Sequence, residues 1–402
     1  MPNKTTSGGW TTGSIGRRPF LAALGAGAAL SVGVGSAAAE DVTRIDSCTT
    51  ITEPGTYRLT QDLADSFTTE LDFGDGLGEV QACIEILTDN VHFDGAGHTL
   101  TNPNERELGQ LAVTVDPAVP QSNIVVENVT SVGWEAGFAY LNVSSSELRN
   151  VTADGNEIGI GAFDASDVTI ADATVTDGIG GVSLLQVTDS TVVRLTADTH
   201  SLFGLAISRA DRNTVCDAMI SNTVADEELE PESDPEAQPT EEAEDIELVV
   251  AGIDIDDTAT DNVVVDSKVT NSSDWDVVVA NEAVNNPLTN LELDSATVSI
   301  NGREFAVRAV DDPPAAPENF GNVGGYIAAA DRGEDPLLDL GVQYVDSDVM
   351  TVNEETVRLW EFIEPWSELS DSTVDTTANL VSALITDFDP DGRVFGPFGE
   401  VK

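Results

Sequence analysis

The sequence is short of positive charge. Its 402 residues hold 17 Lys and Arg against 72 Asp and Glu, a formal charge of −55. That balance excludes a surface for nucleic acid or anionic membranes, both of which are gripped through clustered cations. Histidine is equally scarce, with three residues, and His92, His98 and His200 share no ligand spacing with Met219 or Met350. Copper needs convergent imidazole or soft ligands, so this pattern does not predict a copper site. Three cysteines rule out a disulfide-dense scaffold. Export permits one pair, and Cys48–Cys83 is the expected one, clamping the N-terminal end, with Cys216 a small core residue. A long apolar run is also missing. Phe20 to Val34 is short of the ~20 residues that span a bilayer and is rich in Gly and Ala.

What is present begins with an export signature. Arg17-Arg18-Pro19-Phe20-Leu21 reads as a twin-arginine start, and Ala37-Ala38-Ala39 as a small-residue cleavage site, so residues 1–39 are expected to be a removed signal. No Cys follows the cleavage site, which argues against a lipid anchor. Losing Lys4, Arg17 and Arg18 and no acid takes the charge from −55 to −58. Self-repulsion of that size opposes folding at low salt. At molar salt the screening length falls to ~3 Å. The composition therefore predicts an extreme halophile and a secreted or cell-surface location.

The dominant pattern is a repeat. Asn128-Val129-Thr130 recurs as Asn150-Val151-Thr152, a step of 22 residues. The same step links Val126, Leu148, Ile170 and Val192; Phe138, Ile160 and Val182; and Leu141, Phe163 and Leu185. Each block holds short alternating β runs rich in Val, Ile and Thr, stopped by Gly, Asn or Asp corners. One block cannot bury its own apolar side, but stacked blocks can. The fold class expected is all-β: a right-handed parallel β-helix of about 22-residue coils over residues 40–310, followed by a small antiparallel β-sandwich over 320–402. Gly137, Gly159, Gly181 and Gly204 form a ladder suited to an unusual φ or a close approach. Residues 225–247, acidic and Pro-containing, are expected to be a disordered insertion, and Ile253 and Val277 resume the column beyond it. A last coil is expected through Leu291, Leu293, Val298 and Ile300 to Val307. Residues 311–319 (DDPPAAPEN) read as a Pro-rich linker.

The phrases CTTITEPGTYRLTQDL and ACIEILTDNVHFDGAGHTLTN, with Cys48 and Cys83 in those places, resemble the start of secreted haloarchaeal β-helix repeat proteins. These are similar to the NosD-type periplasmic proteins associated with copper maturation, and more distantly to pectate-lyase-like solenoids. The resemblance runs to about Val310 and implies the fold more than an activity. Asn322 to Tyr326, Thr356 to Trp360, Val374 to Thr376 and Phe395 to Gly399 resemble the immunoglobulin-like domain that closes haloarchaeal surface proteins. No apolar span follows that domain, so non-covalent surface attachment, or none, is expected.

Catalytic candidates come from the column alignment. Asn150, Asp172 and Arg194 fall in one line, Asp154 and Asp198 in another with Asp177 beside it, and His200 shares a column with Trp134. A β-helix lyase needs a calcium-binding Asp cluster and a basic proton abstractor; a hydrolase needs paired carboxylates and a substrate clamp. Asp172, Arg194 and Asp198 are the candidates for such chemistry, although the Asn-Thr-Asp, Asp-Asp, Gly-His-Gly and Arg-Ile-Lys order of hydrolases is absent. Asp387, Asp389 and Asp391 begin a D-x-D-x-D-G pattern suggestive of calcium, against the simpler reading of an acidic turn, since Phe398 stands where an EF-hand Glu would fall. No other cofactor is expected. In the chain beyond the expected signal, sequons occur at Asn128, Asn142, Asn150 and Asn271. Asn128 and Asn150 are expected to stack along the axis, buried from a transferase, leaving Asn142 and Asn271 as the glycosylation candidates. Taken together, the residues point to a binding or structural protein with extracellular carbohydrate as its partner. The alternatives are a β-helix lyase or hydrolase and, more distantly, a copper-associated factor.

Overall fold

The computed structural model describes residues 42–72, 77–104, 108–115, 118–226 and 249–402. The export signal and nearly all of the acidic insertion lie outside the described residues. The chain is a right-handed parallel β-helix that passes into an antiparallel sandwich.

Each coil contributes a strand to three faces. On the first, Val126 pairs with Leu148, then Ile170, Val192, Val215 and Val264. On the third, Phe138 pairs with Ile160, Val182, Leu205, Ile253 and Val277. Both columns point inward and are at most 3% exposed. The 22-residue step sets these neighbours because equal coils bring equivalent side chains to the same depth. Between Gly178 and Gly180 the register shifts, and the step to Leu205 lengthens by one.

The corners, not the glycine ladder, carry the left-handed backbone. Asn128, Asn150, Asp172, Arg194, Asp217, Asp266 and Asn290 all have φ between 49° and 56°. Asn and Asp tolerate that region best among residues with a Cβ. Gly137, Gly159, Gly181 and Gly204 are not among the positive-φ residues, so only the close-approach half of the expectation holds. A Cβ at Gly137 would fall 2.6 Å from the Gly159 carbonyl oxygen, and one at Gly181 2.3 Å from that of Gly204. A second ladder runs inside: Asn213 Nδ2 donates to Asn262 Oδ1 at 2.9 Å, and Asn262 Nδ2 to Asn286 Oδ1 at 3.0 Å, each Asn at most 2% exposed. Buried amides need such partners.

At the N-terminal end the sulfurs of Cys48 and Cys83 are bonded. The hairpin Phe67–Asp72 with Leu77–Ile86 folds out antiparallel there. At the other end the expected last coil and linker need correction. Leu293 and Ala296 close a turn (N–H to O, 2.8 Å). Strand Thr297–Arg303 then returns antiparallel to Leu288–Glu292, and Phe305–Ala309 antiparallel to Trp275–Val279. These two strands also pair with Leu337–Gln343 and Ile327–Asp331 of the sandwich. One hydrophobic core runs from Ile45 to Phe395 across the expected boundary. Residues 311–319 are therefore not a spacer between separate bodies: Trp366 Nε1 donates to the Ala315 carbonyl at 2.8 Å, pinning the segment to the sandwich.

Candidate functional site: a trough on the third face

The outward positions of the third face form a trough along the axis. Register places Ala139, Gly161, Ser183, Ala206, Asp254 and Val278 in one outward column, so the floor is made of small side chains until Asp254. Phe163 and Leu185 flank it on one side, and Ile158 and Phe203 on the other; all four are half-buried. The absence of a side chain at Gly161 on the floor and at Gly180 between Ile158 and Phe203 in the wall is structural. A Cβ at Gly161 would lie 2.5 Å from the Phe163 ring, and one at Gly180 2.3 Å from the Phe203 ring. Both rings lie across their glycines.

At the N-terminal end the trough opens into a cleft of about 1140 Å³, lined by Glu79, Leu111, Glu135, Leu141, Phe163 and Asp164 among others. The outer hairpin forms one wall, with Leu71 and Val80 packed on Leu111, Ala139 and Leu141. Glu135 is held in place, its carboxylate accepting the backbone N–H groups of Gly109 and Gln110. Toward the C-terminal end the floor becomes acidic. Burial pushes Asp254 up to about 7, with Asp256 and Asp257 adding to the shift. Burial likewise raises Asp256. Asp276, 3% exposed, is raised to about 6 by burial although it accepts the Ala309 N–H at 2.9 Å.

The residues singled out in the sequence lie elsewhere. Asp172 and Arg194 do meet, in a bidentate pair at 2.6 and 2.7 Å, but on an exposed corner between the first and second faces. Arg194's hydrogen bonds hold the Asp172 carboxyl below its usual range, and the same bonds raise Arg194. A guanidinium kept this firmly protonated is unsuited to removing a proton. Asp198 sits on the second face, accepting from Ser221 Oγ and Asn222 Nδ2, both at 2.6 Å, and is lowered chiefly by the Ser221 bond. His200 and Trp134 share a column, yet His200 is 3% and Trp134 0% exposed, so neither reaches a surface. Leu141, Phe163 and Leu185 repeat at the same 22-residue step as the core columns, so the step alone does not separate wall from core. Their parity, three positions on from the inward Phe138, Ile160 and Val182, is the signal that puts them outside.

The D-x-D-x-D-G stretch is an arginine-tied turn. Asp389 is bonded by Arg393 Nε at 2.9 Å and Nη2 at 3.2 Å, which lowers its pKa, and Arg393 Nη1 also donates to the Asp387 carbonyl at 3.3 Å. Asp387, Asp389 and Asp391 form no cation cluster, and no group of three His, Cys, Asp or Glu suited to a metal occurs among the described residues. Asn150 does bond Asn128 Oδ1, at 2.5 Å, but Asn150 is exposed rather than buried. Asn271, exposed, is engaged in the same way with Asn222, and Asn142 lines the cleft half-buried.

Comparison with known proteins adds the following. The family described as periplasmic copper-binding protein (NosD) matches residues 90–231. That is about a third of the chain. No curated protein matches. An alginate lyase from Paenibacillus sp. str. FPU-7 is similar in structure, with 8% identity over 63% of this chain and 86% of its own and a TM-score of 0.44. Pectate lyase Pel9A has 11% identity over 63% and 57%, with a TM-score of 0.33. DFA-IIIase from Arthrobacter chlorophenolicus A6 has 12% identity over 59% and 46%, with a TM-score of 0.32, so this chain spans under half of it. The residues present do not fit a copper ion. His92 is bonded to Glu127 at 2.8 Å, His98 to Asp62 at 3.0 Å, and His200 is buried away from both, while Met219 and Met350 are 57% and 70% exposed.

Proposed function

We propose that this chain is an exported, halophilic extracellular protein that binds a polysaccharide along the third face and performs no chemistry on it. The observation that carries the reading is the trough itself. Its floor is small side chains over four rungs, Ala139 to Ala206, between apolar walls with two aromatic rings, and continues to Asp254 and Val278, six rungs in all and about 24 Å at ~4.8 Å per rung. A linear glycan matches that shape, because sugar rings stack on apolar side chains while their hydroxyls keep polar contact at the rims. The non-catalytic part is supported by the engagement of Asp172, Arg194, Asp198 and Asp389 in structural bonds, away from the trough. Export and surface location rest on the twin-arginine stretch and on the resemblance of the sandwich to the immunoglobulin-like domain of surface proteins. No helix among the described residues is long and apolar enough to cross a membrane. Calcium binding by the chain and glycans on Asn142 and Asn271 remain part of the same extracellular reading, tested by calcium titration and by mass of the exported protein.

The test is affinity electrophoresis against a panel of polysaccharides in molar KCl. Retardation by at least one glycan, reduced about tenfold in Phe163→Ala and Phe203→Ala, is the expected result. Retardation that survives both changes places binding elsewhere. A second reading, a lyase or hydrolase, draws on one observation: Asp254, raised to about 7, faces the trough. Polymer cleavage abolished by Asp254→Asn would establish it in place of the first.

A further inference from the structure

Most basic residues among those described are neutralised. Eight of those described lie within 4 Å of a carboxylate, as Arg149 does with Glu127 and Arg212 with Asp189. The other five of the 13 described, Arg44, Arg308, Arg332, Arg358 and Lys402, have no such partner among the described residues. Arg308 and Arg332 are set apart from the rest by their position. Both guanidinium groups lie over the ring of Trp275, at 5.1 and 5.0 Å from its centroid. Their charges are therefore at most about 10 Å apart, each attracted to the same indole. Bringing two cations together opposes folding unless something offsets it, and here 72 acidic residues left ample choice of carboxylate partners.

Their bonding leaves donors free. Arg308 Nη1 donates to the Asp274 carbonyl at 3.3 Å, and Arg332 Nε is buried with no hydrogen-bond partner. Asp276, a buried acid on which the Arg308 charge also acts, accepts the Ala309 N–H at 2.9 Å and forms no ion pair within 4 Å among the described residues. Trp275 continues the wall column of Phe203 and Ala251. Ala306 and Ala330 continue the floor column beyond Val278. Arg308 and Arg332 share the parity of those alanines and stand at the C-terminal end of the trough.

We propose that Arg308 and Arg332, held by Trp275, form an anion subsite that takes the carboxylate or sulfate ester of an acidic polysaccharide lying in the trough. The inference rests on the polysaccharide reading above. It also fits the medium: in molar salt only charges in contact keep their interaction, and a planar guanidinium fork bonds a carboxylate or sulfate in two places where a lysine cannot. Asp254, two rungs back, does not hold a full charge near neutral pH against a polyanion.

The experiment is calorimetric titration of the full chain in molar KCl with a polyuronate, a sulfated glycan and a neutral glycan of matched length. Inorganic sulfate alone serves as a control. The intact protein is expected to bind one acidic class at least about tenfold more tightly than the neutral one. The double variant R308Q/R332Q loses that preference while keeping neutral-glycan affinity and thermal midpoint, and R308K/R332K recovers only part of it. Arg194→Gln, on a corner away from the trough, leaves all affinities unchanged. The uronate and sulfate arms identify which anion is taken. An acidic preference that persists in R308Q/R332Q overturns the inference, as does equal weakening toward all glycans, which marks a packing role. Tight binding of free sulfate with no polymer preference overturns it too. Failure of the intact protein to bind any glycan defeats the polysaccharide reading itself, a result distinct from neutral binding that ignores both arginines.

Discussion

The contribution of His200 to stability should become unfavourable as the pH falls. Its imidazole is 3% exposed, and Nδ1 has no hydrogen-bond partner among the described residues. Burial brings its pKa from 6.5 down to about 4, against a smaller opposing pull from Asp198. The folded state thus keeps His200 neutral over a range in which the unfolded chain takes up a proton. Between pH 6.5 and about 4 the His200 site of the unfolded state binds more protons, so this residue's contribution to stability falls as pH falls through that window and is level above it. The difference of about 2.5 pKa values corresponds to about 3 kcal/mol when complete. The term is a desolvation effect, so molar KCl does not screen it away. Urea unfolding midpoints should be followed from pH 8 to pH 4 in molar KCl for the intact protein and for His200→Asn. The variant loses some packing at every pH, but the gap between the two should close by about 3 kcal/mol on acidification. Asp254 and Asp276 titrate in the same range with opposite sign, and they cancel in the difference between the two proteins. A constant gap across the whole range refutes a neutral, buried His200.

Three further outcomes follow from the same geometry. Asp254→Asn should stabilise the protein by about 2–4 kcal/mol at pH 8, because the penalty for charging a half-buried carboxyl grows from the unfolded value of 3.8 up to about 7 and is absent at lower pH; urea midpoints at pH 8 and below 4 check both limbs. Gly181→Ala should destabilise by about 1–3 kcal/mol, since its Cβ would meet the Gly204 carbonyl at 2.3 Å, whereas Gly155→Ala, with φ 62° and open space, should cost about 1 kcal/mol; thermal midpoints rank the two. Breaking Cys48–Cys83, with a sequence separation of 35, should cost about 4 kcal/mol by loop-closure entropy, and a Cys48→Ser/Cys83→Ser variant compared in urea with the oxidised protein measures it.

The column architecture was legible because it is set by a period. Val126, Leu148, Ile170 and Val192 are neighbours for the reason that their spacing is constant, and parallel rungs turn constant spacing into contact. The left-handed corners were less legible. Asn128 and Asp172 signal such a backbone, but Arg194 and Gln186 take it up too, at 54° and 56°, because the rungs on either side impose it. The change of direction at Leu293–Ala296 was hidden, since the apolar alternation of Val298 and Ile300 is the same whether a strand runs parallel or antiparallel. The trough was visible only as parity, which a list of apolar columns obscures. The arginine pair on Trp275 was not visible at all. Residues 275, 308 and 332 belong to strands whose pairing is decided by the reversed last turn.

The corner ladders make the solenoid indifferent to how much chain lies between rungs. Asn222 bonds Asn271, 49 residues on, with the geometry that Asn128 and Asn150 use across 22. Axial spacing is fixed by backbone bonds and side-chain stacks, while the path outside a corner is free. A coil is then a unit that can be removed or duplicated at matching corners with every surviving neighbour kept. Excising residues 151–172, for instance, would set Ala173 beside Val129, where Val151 stands now, and shorten the trough by one rung. The length of polymer that the face accommodates is thus a variable of coil number, separable from the chemistry at either end.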